Sequence, residues 1–586
     1  MRYNDILFFN LHRRYLDIEL KYGGFLGIFV LAAFLNDNGY DAQSFAGALM
    51  EGKKLLDEAC QNGKVQAIGL YCDYENVTEN QFLSRYVHDT YNLPVFIGGP
   101  QATALDRTFY EKSQCTAVVR HEGEMAMLEL LECLLDGTKD LKDIKGISFL
   151  QDQRLRINPE QPIIENLDAL PFIDRECYLV PKNRQVSLSI MTGRGCPFHC
   201  AFCYEGAHTC KVRFRSVANV LQEIENYLQH NRAQDGCNIL FTDDTFTLLP
   251  DRVKELCDGL KKLQQRWKFT WFCEGHVHTL YQHPEMITYI ADAKCWRIQL
   301  GIEAGTQKVL DAYRKGCTLD EIRAVVARCR EEGISQIYGN IILGSAFYDR
   351  NTYYKDLSFA KELLAIGQGC LELGVVSYWP LAETSITETP EKYGLNIIDR
   401  EFITAVGDFP QTETAELNKW QLADMMKEMK TELGAYMDEM LQKERIPEAR
   451  LLSWVNPDSL DKYEGQWWYR LTALENLNVF RYYRMLYSGE GIRADNLSDF
   501  EVLQLHPMRV IPLFSHMMVD CDGVYKIFDC FLDIWEREIV LYTTGKLSVN
   551  EIVQRLEGRD THFTKEKILQ TLKRLEKHHL IIYSKY

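Results

Sequence analysis

Apolar strand-like runs alternate with amphipathic helical stretches twice along this chain, and that alternation constrains the fold most. In the first 145 residues the runs are 5–11, 41–45, 67–72, 94–99 and 117–121. Helical patterns fall between and after them at 25–38, 50–62, 78–91, 102–112 and 124–135. Strands buried on both faces and separated by helices give a parallel sheet with helices on either side. The expectation is a doubly wound, Rossmann-like α/β domain whose ligand site lies at the C-terminal strand ends. Three loops fall there: Cys72-Asp73-Tyr74, Gly98-Gly99-Pro100-Gln101 and Glu122-Gly123-Glu124. Glycine after a strand lets a ligand approach the backbone, and it equally makes a tight turn before a helix.

The second alternation runs from 187 to 380, with strands at 238–244, 270–277, 297–303, 336–344 and 371–377. With the strand that ends before residue 192, this makes about six β/α units, a partial (β/α)6 barrel. Active sites of such barrels collect at the C-terminal strand ends. Asp243, Asp244, Glu274, His276 and Glu303 fall there. Carboxylates in that position accept hydrogen bonds from hydroxyl or ammonium groups, and Asp243 and Asp244 could also cap the next turn.

Between the two lies 146–186, a hairpin followed by a proline-containing extended stretch that reads as a linker. The chain of 586 residues has room for about three or four domains. Its 46% hydrophobic and 25% charged residues exclude large-scale disorder. A net charge of −17 argues against nucleic acid or an anionic membrane surface as partner. The longest apolar run, 25–35, is too short to cross a bilayer, and the N-terminus lacks a signal-peptide layout. Most of the 18 cysteines sit singly in apolar runs, as reduced cytoplasmic cysteines do.

Three of them are different. Cys196, Cys200 and Cys203 form a C-x3-C-x2-C pattern directly after an apolar strand. At this cysteine frequency the pattern arises by chance in roughly one chain in 60. Three thiolates in one loop can hold a metal or an iron–sulfur cluster. Structural zinc needs a fourth ligand, for which His199, His208 and Cys210 are available. A four-iron cluster with one open iron needs only three.

With Phe202 before the third cysteine, this loop resembles the signature of radical S-adenosylmethionine (SAM) enzymes. The segments FTDDTFTL, WFCEGH and QLGIEAGTQKVL resemble the strands of the branch with an N-terminal cobalamin-binding domain, and the domain order matches too. The resemblance covers about 1–380. It implies that Cys196, Cys200 and Cys203 bind a [4Fe-4S] cluster, and that Phe202, Asp243, Asp244, Glu274 and Glu303 lie against SAM. It further implies that Cys72, Gly98, Gly99, Pro100, Gln101, Glu122 and Gly123 lie against cobalamin. The Asp-x-His-x-x-Gly motif that supplies a cobalt ligand in many corrinoid proteins is absent after the first strand.

Residues 381–522 read as mostly helical. An amphipathic helix at 418–445 carries Met and Leu at core spacing. Aromatics and arginines crowd 463–488, which suits packing and could also stack bases. Residues 523–586 read as strand, helices and a terminal strand, a winged-helix-like module that resembles the leader-peptide recognition domains of peptide-modifying enzymes.

These features together imply a cobalamin-dependent radical SAM C-methyltransferase acting on an unactivated carbon of a peptide or small-molecule precursor. An external flavodoxin or ferredoxin would supply electrons. Radical cyclisation or rearrangement without methyl transfer is the alternative within the family. A metal- or corrinoid-binding sensor is the alternative outside it.

Overall fold

The first strand alternates its side chains between two cores, and the N-terminal architecture follows from that alternation. The computed structural model describes residues 4–12, 26–173, 188–208, 211–230, 237–400, 409–447, 489–510 and 519–585, with short gaps inside these stretches, and residues 482, 485 and 486. The aromatics at 467–469, 480, 483 and 487, Cys210, and residues 174–186 of the linker lie outside the described residues.

Strand β1 (Asn4–His12) sends Ile6 and Phe8 to one face and Leu7, Phe9 and Leu11 to the other. The first face packs on α1 (Gly27–Asp37) through Phe29 and Leu35, and on α5 (Glu124–Leu131) through Met127 and Leu130. The second packs on α2 (Leu49–Gln61), α3 (Val77–Tyr91) and α4 (Arg107–Ser113) through Leu56, Leu83 and Phe109. The sheet comprises β2 (Ala42–Ala48), β1, β3 (Val65–Tyr71), β4 (Val95–Gly98), β5 (Ala117–Val119), β6 (Ile147–Gln151) and β7 (Arg154–Ile157), in that order. Strands β1 to β5 are parallel, and β6 and β7 are antiparallel. The order reverses between β1 and β3, so the ligand crevice of such a sheet opens at their C-terminal ends.

Two details differ from the sequence reading. The hairpin read as the start of the linker is the antiparallel edge of this sheet, because Val118 and Val119 pair with Ser148 and Ile147. The helix expected over 102–112 is a 3-10 turn, Ala102–Ala104, followed by the separate α4.

The second sheet runs β15 (Leu371–Ser377), β14 (Gln336–Leu343), β13 (Cys295–Glu303), β12 (Phe269–Gly275), β11 (Cys237–Phe241), β8 (Leu188–Ile190). It is a partial barrel with β8 and β15 as its edges. Strands β8, β11, β12 and β13 are parallel. On β12, Trp271, Cys273 and Gly275 are buried while Phe272 and Glu274 are half-buried. The helix side is thus filled and the inner side is open. A short ladder of β9 (Gly193–Arg194) and β10 (Arg213–Phe214) flanks the loop after β8. The helices include α6 (Tyr204–His208), α7 (Val217–His230), α8 (Pro250–Gln264), α9 (Val277–Gln282), α10 (Glu285–Asp292), α11 (Gln307–Ala312) and α12 (Leu319–Glu331).

Contacts gather the chain into two units. One comprises Met1–Ile334, Gly339–Asp356 and Val375–Met426; the other comprises Ser335–Tyr338, Leu357–Gly374 and Lys427–Tyr586. The amphipathic helix is Lys419–Gln442, with Leu422, Met425, Met429, Leu433, Met437 and Met440 buried, so its Met stripe is core packing. In the second unit, three antiparallel strands (Val519–Cys521, Val524–Ile527, Cys530–Leu532) precede helices Ile534–Tyr542, Val549–Glu557 and Lys565–Lys577. Asp533, Ser548 and Thr564 cap the three helices. The core of this module reaches back to Ala494, and its last strand, Ile581–Ser584, pairs with His506–Arg509. Among the described residues no helix is long and apolar enough to cross a membrane.

Candidate active site

The three-cysteine loop is pinned at the C-terminal ends of the barrel strands by backbone hydrogen bonds. The Gly195 N–H donates to Asp244 at 3.0 Å, and the Ala201 N–H donates to the Tyr313 carbonyl at 2.8 Å. The Ala201 carbonyl accepts from Ile386 N–H at 3.1 Å, and the Cys200 carbonyl accepts from Cys203 N–H at 3.2 Å. All three cysteines are half-buried, and the Cys196 thiol lies 3.4 Å from the Thr245 hydroxyl. Burial pushes the Cys200 thiol up. Among the described residues no three His, Cys, Asp or Glu side chains are grouped for a single metal ion.

The carboxylates at the strand ends divide by role. Asp243 is buried, and both its oxygens are occupied, by the N–H and hydroxyl of Thr192 and by Gly193 N–H at 3.0 Å. Burial pushes its pKa up to about 6. It braces the strand leading into the cysteine loop, a partner neither the cap nor the SAM reading anticipates. Asp244 braces the next residue pair in the same way. Glu303 has left-handed backbone (φ 62°) and accepts from Lys315 Nζ at 3.0 Å, with both side chains buried. Burial works against the Lys315 charge, but Glu303 and the Cys200 thiol hold its pKa above the ordinary lysine value. A Cβ at Gly301 would meet Lys315 Nζ at 2.0 Å, so glycine there makes room for the pair. Glu274 is half-buried on the inner face, directly opposite Gln299 in the parallel ladder. Burial, with the Asp244 charge adding, pushes it up to about 7. Phe202 packs on Tyr313 (ring centroids 4.8 Å), and Lys315 Nζ lies 5.9 Å from the Phe202 ring centre.

The N-terminal loops are more self-contained than the sequence suggests. Cys72 points into the core. Its backbone accepts from Gln101 N–H at 3.2 Å and donates to Gly98 at 2.7 Å. Gly99 has φ 110°, and a Cβ there would lie 2.5 Å from the Cys72 carbonyl oxygen, so the chain itself requires this glycine. Gly98 has nothing nearer than 3.5 Å to such an atom, Pro100 is half-buried and Gln101 is buried. A Cβ on Gly123 would approach Leu31 of α1 at 3.3 Å. One buried polar side chain near these strand ends, Asn10 on β1, has no hydrogen-bond partner at either amide atom among the described residues.

Glu122 faces the barrel rather than a crevice. It takes two hydrogen bonds from Arg213, at 2.5 and 3.1 Å, and one from Ile164 N–H at 3.0 Å, and Arg194 lies 3.5 Å away. Arg194 also pairs with buried Glu124 at 2.5 Å. This four-residue clamp joins the loop after β5 to the cysteine loop. Tyr74, after β3, meets Trp379, after β15, at 4.9 Å between ring centres. Arg194, Arg213 and Lys315 carry no recognisable spacing and escape a sequence reading.

Residues 190–350 match the Radical SAM superfamily. The chain carries a radical SAM domain. It is 28% identical over 277 residues to an uncharacterized methyltransferase of Pyrococcus horikoshii, covering 46% of this chain and 58% of that protein. It is 26% identical over 247 residues to an anaerobic magnesium-protoporphyrin IX monomethyl ester cyclase of Rubrivivax gelatinosus, covering 41% and 43%. The chain thus spans about half the length of these curated relatives. Among solved structures it is similar to the radical SAM methyltransferase TsrM of Kitasatospora setae with cobalamin and [4Fe-4S] cluster bound. That similarity has a TM-score of 0.55 at 17% identity and covers 70% of this chain and 83% of that one. It shows a shared fold: an α/β chain with a parallel sheet ahead of the radical SAM domain.

Proposed function

We propose that this chain is a cobalamin-dependent radical SAM enzyme that methylates an unactivated carbon. The observation that carries the reading is the clamp: it holds the loop beside the N-terminal crevice against the loop bearing Cys196, Cys200 and Cys203. Two cofactors on those loops would face one substrate. An all-thiolate loop beside a buried cation suits an anionic iron–sulfur cluster. The orphaned Asn10 amide suits a ligand rich in amide groups.

When bound, the cluster supplies an electron to the SAM sulfonium and the corrinoid supplies a methyl group. The chain's own residues do the rest. Cys196, Cys200 and Cys203 hold the cluster. Lys315 would meet the carboxylate of SAM, Glu303 its hydroxyl or ammonium groups, and Phe202 its flat faces, while Asp243 and Asp244 fix the loop. The Gly98–Gln101 loop, Gly123 and Asn10 would border the corrinoid. Cys72 and Glu122, engaged within the fold, support that border from behind. An external flavodoxin or ferredoxin completes the electron supply.

A peptide is the substrate class the C-terminal module favours. Its strand Cys530–Leu532 pairs with Val524–Ile527, and Phe531 and Ile534 beside it are 56% and 52% exposed. Exposed apolar side chains beside a small sheet suit the anchor residues of an extended peptide. Phe531→Asp should lower affinity for the precursor peptide about tenfold or more while leaving peptide-independent SAM cleavage unchanged. Unchanged peptide affinity would remove the recognition role. The cyclase relative keeps ring closure as a second reading, and product mass separates the two.

The first experiment is a metal count and optical spectrum on protein purified without oxygen from cobalamin-supplied cells. The expected result is about four irons and stoichiometric cobalt per chain. Iron without cobalt, even after reconstitution, would overturn the cobalamin part and leave ring closure or rearrangement.

A further inference from the structure

The middle of the cysteine loop is a phenyl ring. In Cys196-Pro197-Phe198-His199-Cys200, Phe198 is only half-buried, yet its ring lies flat on His276, with centroids 3.6 Å apart and planes 9° from parallel. His276 is the residue after β12 and is 5% exposed. Its backbone N–H donates to Thr247 at 3.1 Å, and its carbonyl accepts from Thr279 at 2.8 Å. Its Nε2 stands 3.1 Å from the Lys315 carbonyl oxygen. A carbonyl only accepts, so Nε2 carries the proton and Nδ1 carries a lone pair. Nδ1 is buried and has no partner. The ring is therefore oriented by one hydrogen bond and held neutral by burial, with the Lys315 charge nearby adding to the effect.

One residue thus joins three segments: its main chain holds the residues after β11, and its ring holds the residues after α11 and the span between the first two cysteines. Its N–H fixes the same Lys315 residue whose ammonium pairs with Glu303. Phe198 is not a ligand, but its position sets how far apart Cys196 and Cys200 are presented.

We propose that His276 is a positioning residue for the cluster: its ring holds Phe198, and through it the Cys196–Cys200 span, in the ligating conformation. The proposal rests on the reading of Cys196, Cys200 and Cys203 as cluster ligands. Residues that orient ligands from behind typically change metal affinity by about 10–100-fold when removed.

The test compares wild type, His276→Leu, His276→Phe and Phe198→Leu, reconstituted without oxygen. It reads iron and sulfide content, the rate of iron loss to a chelator, and the electron paramagnetic resonance of the reduced cluster with and without SAM. Melting of the cluster-free proteins reports the fold. His276→Leu should lose iron about tenfold or more faster than wild type and show an altered resonance. His276→Phe keeps an aromatic face for Phe198 and should recover most of the retention. Phe198→Leu removes the same contact from the loop side and should match His276→Leu, so it carries the test if His276→Leu fails to fold. Wild-type iron retention and resonance in the two leucine variants would overturn the proposal, as would a His276→Phe protein no better than His276→Leu. A wild-type protein that binds no iron would overturn the ligand assignment itself, and this inference with it.

Discussion

Cys200→Ala should yield a folded chain that holds no stable cluster and cleaves no SAM. The fold survives because the loop is set by main-chain bonds. Cys203 N–H reaches the Cys200 carbonyl, and Ala201 is bonded on both sides, to Tyr313 and Ile386. None of these uses the thiol. The chemistry fails because two remaining thiolates cannot hold a four-iron cluster with a single open iron. Iron content should fall from about four per chain to well under one, with far-ultraviolet circular dichroism unchanged. Full iron loading in this variant would refute the ligand assignment.

Glu122→Ala should cost about 3–5 kcal/mol of stability, because it leaves Arg213 and part of Arg194 as buried, uncompensated charges. Arg213 is 8% exposed and Glu124, on the other arm of the clamp, 3%. A denaturant titration measures the loss. A cycle with Arg213→Met isolates the pair, since an apolar side chain of similar volume removes the orphaned charge. The double variant should recover more than half of the loss, and strictly additive losses would show that the pair does not interact.

The pH dependence of this clamp follows from the direction of the Glu122 shift. Burial pushes its carboxyl up, but the Arg213 hydrogen bond, the Arg194 charge and the Ile164 N–H outweigh burial and hold it below the ordinary glutamate value. The folded state therefore binds fewer protons than the unfolded chain in acid. The stabilisation is complete above the unfolded glutamate value, about 4.3, and is lost as pH falls through the lower folded value. In Glu122→Gln this acid-side loss should shrink.

Strands β3, β4, β12, β13 and β15 were legible within about two residues of their ends, because each is a short apolar run. Sheet membership was less legible. Alternation in 147–157 shows a hairpin, but whether it stands alone or joins β5 depends on pairing with residues about thirty positions upstream. The C-x3-C-x2-C pattern was visible in its spacing, and the carboxylates in their places at the strand ends. Their partners were not. Asp243 serves Thr192 from 51 positions away, and Glu122 serves Arg213 from 91. A single charged residue that pairs over such a separation reads as a surface charge until the fold is known. Lys315, inside the turn that follows α11, is the clearest case. The C-terminal module was seen from its helices, and its start was placed too late because its last strand pairs backward to 506–509.

Only Gly195 separates Arg194 from Cys196, the first of the proposed cluster ligands, and Arg194 is ion-paired to Glu122 and Glu124 of the N-terminal domain. The docking latch and the metal loop are therefore one continuous piece of chain. If Cys196, Cys200 and Cys203 hold a cluster, swinging the N-terminal domain open would drag its ligands along, so on the proposed reading the two halves stay engaged while the cluster is held.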